Sequence, residues 1–510
     1  MLAKVLSSAI VGIDAHIVDV EVDIAAKGLP YFSIVGLPDT AVKESKDRVR
    51  AALKNIGYSF PLKQITINLA PADLKKEGSS FDLPIAVGIL TCEGLIPSDG
   101  IDKYMIAGEL SLDGTIKPVR GVLSMSMRSR QLQLKGIILP HENGSEAAVV
   151  KETTVYGMRN LSDLVNFFNG SSYESVQSPN LEEILYEFGD YEEDFSEVKG
   201  QEHAKRALEV AAAGAHNLIM IGPPGSGKTM LAKRIASILP PMTFEEAIET
   251  TKIYSAAGLL KNGAYIVSKR PFRSPHHTMS EIALVGGGQI PKPGEVSLSH
   301  NGVLFLDELP EFKRNVLETL RQPMENGDIT VSRAAMSINF PASFIFVASL
   351  NPCPCGKYGD SKNICTCTPS QIHRYRSKLS GPLLDRIDIH IDVPSVDYKD
   401  LSSERCGESS KTIKERVSNA RSIQNERFKN EKIYSNGQMK TRHIKKYCGF
   451  SKSAKSLLDL AMQKLGLSAR AYSRIIKVAR TIADLADSIE INEQHISEAI
   501  QYRTLDRDVL

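Results

Sequence analysis

Three features of the sequence predict an α/β protein with a covered parallel sheet at its centre. Four near-continuous apolar runs, NLIMI, GVLFL, FIFVASL and IDIHIDV, fall between residues 200 and 400. Such runs suit strands buried on both faces. The first leads straight into GPPGSGKT, residues 222–229, a glycine-rich loop in a strand–loop–helix setting. Ahead of it, residues 1–170 alternate β-like runs (VDVEVDI, QITINLA, KGIILP) with helical patterns such as ESKDRVRAALKNIG. That alternation predicts a separate, smaller α/β domain.

At 510 residues the chain has room for several domains, each typically of ~100–200 residues. A net charge of +2 leaves no global electrostatic footprint for nucleic acid, so any such role must come from local patches. Seven cysteines, odd in number and unevenly spread, exclude a secreted disulfide framework. The first strand-like run is broken by Asp14 and His16 and shows no cleavage-site pattern. No apolar stretch approaches the ~20 residues of a membrane span, and a cytoplasmic protein is expected. Residues 171–199 change character: Glu182 to Glu197 holds eight acidic residues and no basic one. This reads as a solvated acidic linker with a short helix, or as an acidic helix face packed on a neighbour. Residues 401–510 lack strand runs and read as helices.

The glycine loop carries the chemistry. Gly222, Pro223, Pro224, Gly225, Ser226, Gly227, Lys228 and Thr229 match GxxxxGK[ST]. Glycines let the backbone wrap closely around phosphates, and successive N–H groups form an anion nest at a helix N-terminus. Lys228 would pair the β/γ-phosphates of ATP, and Thr229 would ligate Mg²⁺. GVLFL ends in Asp307 and Glu308. Asp307 would hold Mg²⁺, and Glu308 would polarise the attacking water as general base. FIFVASL ends at Asn351, where a neutral amide would orient that water or sense the γ-phosphate. In SGPLLDRIDIHIDV, Arg386 precedes a strand. Its planar guanidinium suits γ-phosphoryl charge, reached from a neighbouring subunit in ring ATPases. Pairing with Asp385 or Asp388 on a surface is the bland reading.

Behind Asn351 come Cys353, Cys355, Cys365 and Cys367, spaced C-x-C, nine residues, C-x-C. Four sulfurs at a hairpin base would favour Zn²⁺, with His373 as a spare ligand. The usual structural-zinc pairs are C-x₂-C, so a reduced insertion without metal and redox-labile disulfides also stand as readings.

Together these residues resemble an AAA+ ATPase of the magnesium-chelatase-like, helix-2-insert group. The long segment between Lys228 and Asp307 includes PFRSPHHTMSEIALVGGGQIPKPGEVSLSHNG, and a strand–tip–strand around Arg333 is similar to the hairpin that precedes the sensor strand in that group. PHHTMSEIALVGGG, PGEVSLSHNGVLFLDELPEF, LRQPMENG, NPCPCG and SGPLLDRID are similar to signatures of the ComM/YifB family over nearly the whole chain. That resemblance implies a homo-hexameric, ATP-driven motor on branched DNA. It would migrate Holliday-type or three-stranded junctions during natural transformation, alongside recombinase machinery and away from membranes. The Gly-rich insert and the Arg333 hairpin would line a central pore, with His276, His277 and Lys292 as candidate phosphate contacts. LSARAYSRIIKVAR is similar to a sensor-2 helix in a helical lid, with Arg470 the better aligned arginine and Arg474 one turn later. Residues 411–446 carry eleven Lys/Arg against three acids, read as a solvated face or a DNA-facing patch.

KKEGSSFDLPIAVGIL and GELSLDGTIKPVRGVL are similar to the proteolytic domain of Lon-type proteases, a fold shared with a ribosomal protein of the S5 type. That family cuts with a Ser–Lys dyad. Here the serine aligns with Ser80, but the lysine position is Leu123, and Lys117 and Arg120 are out of register. The domain therefore reads as a non-proteolytic platform. Rival functions are a chelatase-type motor remodelling a partner for metal insertion, an ATP-dependent protease, and an ATP-sensing scaffold.

Overall fold

The computed structural model describes residues 1–26, 29–180, 193–260, 264–288, 291–333, 336–359, 363–395, 407–431 and 433–503. The chain divides into two compact units. The first comprises Met1–Ile184 and Phe244–Ser268; the second comprises Leu185–Thr243 and Lys269–Leu510. Among the described residues no helix is long and apolar enough to cross a membrane.

In the first unit a seven-stranded sheet runs in the order Tyr31–Val35, Gln64–Ala70, Asp14–Ile24, Leu2–Val11, Tyr104–Ile106, Gly136–Pro140, Val155–Met158. Leu2–Val11 and Asp14–Ile24 pair antiparallel from Leu2↔Asp23 to Val11↔Asp14. The second of these strands alternates as a half-buried strand should: Val18, Val20, Val22 and Ile24 are buried, whereas Asp19, Glu21 and Asp23 point away. The helix Asp82–Cys92 is buried at all eleven positions. It lies so close to the sheet that a Cβ on Gly88 would come within 2.5 Å of Val22 Cγ2.

Residues 244–268 fall inside the 200–400 segment of the sequence reading, yet they group with this first unit. Their helix, Phe244–Ala257, supplies a hydroxyl to a buried carboxylate. Ser255 Oγ donates to Glu146 Oε1 at 2.5 Å, and the Leu123 N–H donates to the same oxygen at 3.1 Å. Burial pushes the Glu146 carboxyl above its ordinary value against these bonds.

The second unit is built on a five-stranded parallel sheet in the order Phe272–Arg273, Val303–Leu306, Ile345–Leu350, Leu218–Ile221, Ile389–Asp392. Four of these are the apolar runs named above. The fifth, Phe272–Arg273, lies in a segment whose Gly, Pro and His content hid it. The centre of the sheet is dry: Val303, Leu304, Phe305, Leu306, Phe346, Val347 and Ala348 are fully buried.

The helices Glu202–Gly214, Lys228–Ile238, Ser410–Arg427 and Ala469–Leu485 pack on one another against this sheet. Ser468 caps the last of them by accepting from the Ala471 N–H at 3.2 Å, and Ile475, Ile476, Val478, Ala479 and Ile482 form its buried stripe. Asp328–Arg333 and Met336–Pro341 form an antiparallel hairpin from Asp328↔Pro341 to Arg333↔Met336. Its tip, 334–335, and the Arg333 side chain lie outside the described residues, as do 181–192 of the acidic stretch. The end of that stretch is built into the second unit. Asp194 accepts from the Ser410 N–H, and its carbonyl accepts from Arg234 Nε at 2.9 Å.

Candidate nucleotide site

Parallel register brings three strand ends together. Ile345–Leu350 lies between Leu218–Ile221 and Val303–Leu306, with Ile221 opposite Leu350 and Leu306 opposite Ala348. The chain therefore delivers the glycine loop, Asp307-Glu308 and Asn351 to one edge of the sheet. They line a pocket of about 410 Å³.

Backbone freedom makes the loop possible. Gly225 and Gly227 have φ of +75° and +86°, and a Cβ on Gly222 would lie 2.1 Å from the Val393 carbonyl oxygen. Lys228 opens the helix behind the loop. Its Nζ donates to the carbonyls of Gly222 (2.7 Å) and Pro223 (2.8 Å) and to Asn351 Oδ1 (3.3 Å). Burial lowers the affinity of this amine for its proton, while Asp307 and Glu308 pull the other way. Thr229 Oγ1 donates to Asp307 Oδ2 at 2.7 Å. One hydroxyl and one carboxylate, side by side below the loop, form an all-oxygen donor pair of the kind Mg²⁺ accepts. Glu308 sits at φ +53°, a left-handed conformation, with its N–H on Asp307 Oδ1 at 3.0 Å.

Two polar supports were not singled out in the sequence. Ser349 Oγ donates to Asp307 Oδ1 and receives the Glu308 N–H at 3.4 Å. Its signal is a lone hydroxyl in an otherwise apolar strand. Gln201 Nε2 donates to the Ser226 carbonyl at 2.7 Å and to the Pro394 carbonyl at 3.2 Å, steadying the loop from outside. Nothing local marks it.

The other candidates are placed differently. His277 lies with its Nδ1 3.9 Å from Glu308 Oε2, its ring 4.1 Å from that of His276. The sequence reading had put both at a pore. Lys292 is exposed, in a short pairing with Gly287.

Arg386 does not line the pocket. Its guanidinium pairs with Glu325 and donates to the Pro382 carbonyl at 2.7 Å, so its partner is neither Asp385 nor Asp388. Those two acids hold the helix Ala469–Leu485 instead: Arg470 to Asp385 at 2.9 Å and Arg474 to Asp388 at 2.7 Å. Arg470 and Arg474 are likewise absent from the pocket wall. Asn217 joins these pieces. Its Oδ1 accepts from the Phe346 N–H at 2.9 Å, and its Nδ2 donates to the Arg386 carbonyl at 3.0 Å.

Much of the 411–446 basic run has internal partners. Arg416 pairs with Glu209 and Glu408, Arg427 with Asp484, and Arg442 and Lys446 with Glu431.

The four cysteines converge. Cys353 Sγ is 3.3 Å from Cys355 and 3.7 Å from Cys365, Cys355 to Cys365 is 3.6 Å, and all four ligand atoms lie within 4.8 Å of one another. No disulfide links them. Four thiolates at ~2.3 Å from one tetrahedral Zn²⁺ would be spaced by about 3.8 Å, close to these distances. N–H groups of Lys357 and Thr366 bring the Cys355 thiol down to about 5. For Cys367 the Cys355 N–H works downward, but desolvation and the neighbouring sulfurs push the thiol up to about 12. His373 is exposed and outside the cluster.

By class, this is a P-loop ATPase. Residues 194–401 match the family described as magnesium chelatase, subunit ChlI. Residues 20–143 match the description subunit ChlI of Mg-chelatase, and 407–503 match its C-terminal part. The chain is 45% identical over 511 residues to the competence protein ComM of Haemophilus influenzae, covering 99% of this chain and 98% of that protein. It is 44% identical over 510 residues to YifB of Escherichia coli, with the same coverage. The magnesium-chelatase 38 kDa subunit of Rhodobacter capsulatus is 28% identical over 177 residues, 31% of this chain and 50% of that protein. The chain belongs to the ComM/YifB family of magnesium-chelatase-like AAA+ ATPases.

Proposed function

We propose that the chain is the subunit of a homo-hexameric, ATP-driven motor that migrates branched DNA during recombination of incoming strands. The observation that carries the motor is the meeting of Lys228 with Asn351 at 3.3 Å beside Thr229 and Asp307 at 2.7 Å. The full-length likeness to a competence protein supports the DNA substrate.

In this reading the amide N–H groups of residues 225–229 cradle the phosphates, and Lys228 pairs the β/γ-phosphates. Thr229 and Asp307 hold Mg²⁺, which would neutralise phosphate charge. Glu308 takes the proton of the attacking water, and Asn351 reports the γ-phosphate to its strand. Arg386 does not line the pocket of its own chain, which favours service to the pocket of a neighbouring copy, and Arg470 is held nearby on Asp385. The first unit is read as a Lon-like, S5-type platform without proteolysis. Leu123 is buried there with its N–H on Glu146, and it offers no base to Ser80. The boundaries 1–170, 171–199, 200–400 and 401–510 serve as the working domain plan, the last as a helical lid. The four-sulfur cluster is read as a structural Zn²⁺ site on the strength of its spacing.

Purified protein, Mg²⁺-ATP and a labelled four-way junction provide the test. Strand separation is expected with the wild-type chain and lost in Lys228→Ala and Glu308→Gln. Arg386→Ala is expected to bind nucleotide and not turn it over, and turnover per chain is expected to rise with protein concentration. An ATPase indifferent to every DNA form but raised by a partner protein would instead favour the chelatase-type motor.

A further inference from the structure

The cysteine loop touches the phosphate loop. Gly356, between the two cysteine pairs, has φ +75°, and a methyl there would lie 2.4 Å from Pro224 Cδ and 2.7 Å from its Cγ. Pro224 is the third residue of the glycine loop. The cysteine loop starts at Asn351, already bonded to Lys228. Arg376 fastens its first half: Nε donates to the Pro352 carbonyl at 3.3 Å and the guanidinium lies 5.3 Å from the Tyr358 ring centre. Between Leu350 and Pro369 the described residues form no helix or strand. With no ladder of backbone bonds to order it, such a loop takes its shape from cross-links.

We propose that a soft divalent cation held by Cys353, Cys355, Cys365 and Cys367 is a clasp for the nucleotide site: it seats Gly356 against Pro224 and presets the phosphate loop for ATP. The proposal rests on the metal-site reading above and adds to it a linkage. If the metal tightens ATP binding, bound ATP must tighten metal binding by the same factor. The contact is one-sided in a useful way. Gly356 is not a metal ligand, so the wedge can be altered with the sulfurs intact.

The experiment uses the full chain and zinc as the probe. Elemental analysis is expected to find about one zinc per chain. Stripping it with a thiol-directed mercurial and a chelator is expected to weaken binding of a fluorescent ATP analogue at least ~5-fold, the lower end of usual couplings. A saturating, magnesium-loaded, non-hydrolysable ATP analogue is expected to tighten zinc binding by a similar factor, read at equilibrium in competition with a chromogenic chelator. Gly356→Ala is expected to keep its zinc and lose nucleotide affinity to a comparable degree, because its methyl meets Pro224. Absence of zinc with four titratable thiols would end the metal reading and the clasp with it. Zinc that is present and leaves without changing nucleotide affinity, or a Gly356→Ala chain of unchanged affinity, would overturn the clasp and leave the metal site standing.

Discussion

His277 Nδ1 lies 3.9 Å from Glu308 Oε2, with the imidazole edge-on to Phe312. A residue from the insert between the phosphate loop and the Asp-Glu strand thus faces the carboxylate assigned to water activation. His277→Ala is expected to leave nucleotide affinity within about twofold and to lower kcat by about tenfold, the scale of a misplaced reacting group. Steady-state ATPase and equilibrium binding, measured side by side, check it. Equal loss in both would mean that His277 holds the whole pocket and not Glu308.

A second expectation concerns the buried pair Arg474–Asp388. Burial disfavours the Asp388 carboxylate, but Arg474 at 2.7 Å and then His216 hold it well below the usual carboxylate range. Arg474→Met leaves that charge without its main partner, which typically costs about 3–5 kcal/mol. Urea unfolding of the variant against wild type gives the number.

The same pocket sets an acid limit. His216 is fully buried, and desolvation lowers its pKa despite Asp388 at 3.5 Å, so the imidazole is neutral in the fold. Both groups take up protons less readily folded than unfolded. Stability is therefore full above about pH 6.5, the unfolded histidine value, and falls as pH drops. His216 contributes to the loss first, and Asp388 adds to it below about pH 4. Thermal melts at pH 7.5, 5.5 and 4 are expected to fall in that order, and His216→Asn is expected to flatten the upper part of the curve.

Gly222→Ala tests the close approach behind the phosphate loop. Its methyl would meet the Val393 carbonyl oxygen at 2.1 Å, a backbone atom that cannot turn aside. Overpacking of this kind costs about 1–3 kcal/mol. A lower melting temperature together with weaker nucleotide binding is expected, and wild-type values of both would show that the strand pair yields freely.

The nucleotide pocket was legible in the sequence because its parts are local patterns. An apolar run before a glycine loop, or before Asp-Glu, announces itself within ten residues. Asn351 could be placed because the end of a central strand is a predictable position. Partners chosen by tertiary approach carry no such mark. Glu325 against Arg386, Gln201 against the loop and Ser349 under Asp307 are each ordinary residues until the sheet closes. The nearness of His277 to Glu308 was hidden for the same reason: a Gly/Pro/His segment looks like a free loop, yet its start forms a strand beside Val303–Leu306. The two C-x-C pairs suggested four sulfurs at one place, though the spacing is not the usual structural-zinc pair, and the fold of the loop brings Cys365 to within 3.7 Å of Cys353.

The helix that begins at Lys228 ends at Ile238, and by Phe244 the chain has joined the first unit. Only LPPMT, two of its five residues proline, spans the step. Prolines hold φ near −65° and make a stiff leash. The helix that opens at Lys228 is therefore joined to the first unit by a short covalent link. A chain cut after residue 180 would lose that link and Phe244–Ala257 with it, leaving Glu146 without the Ser255 hydroxyl.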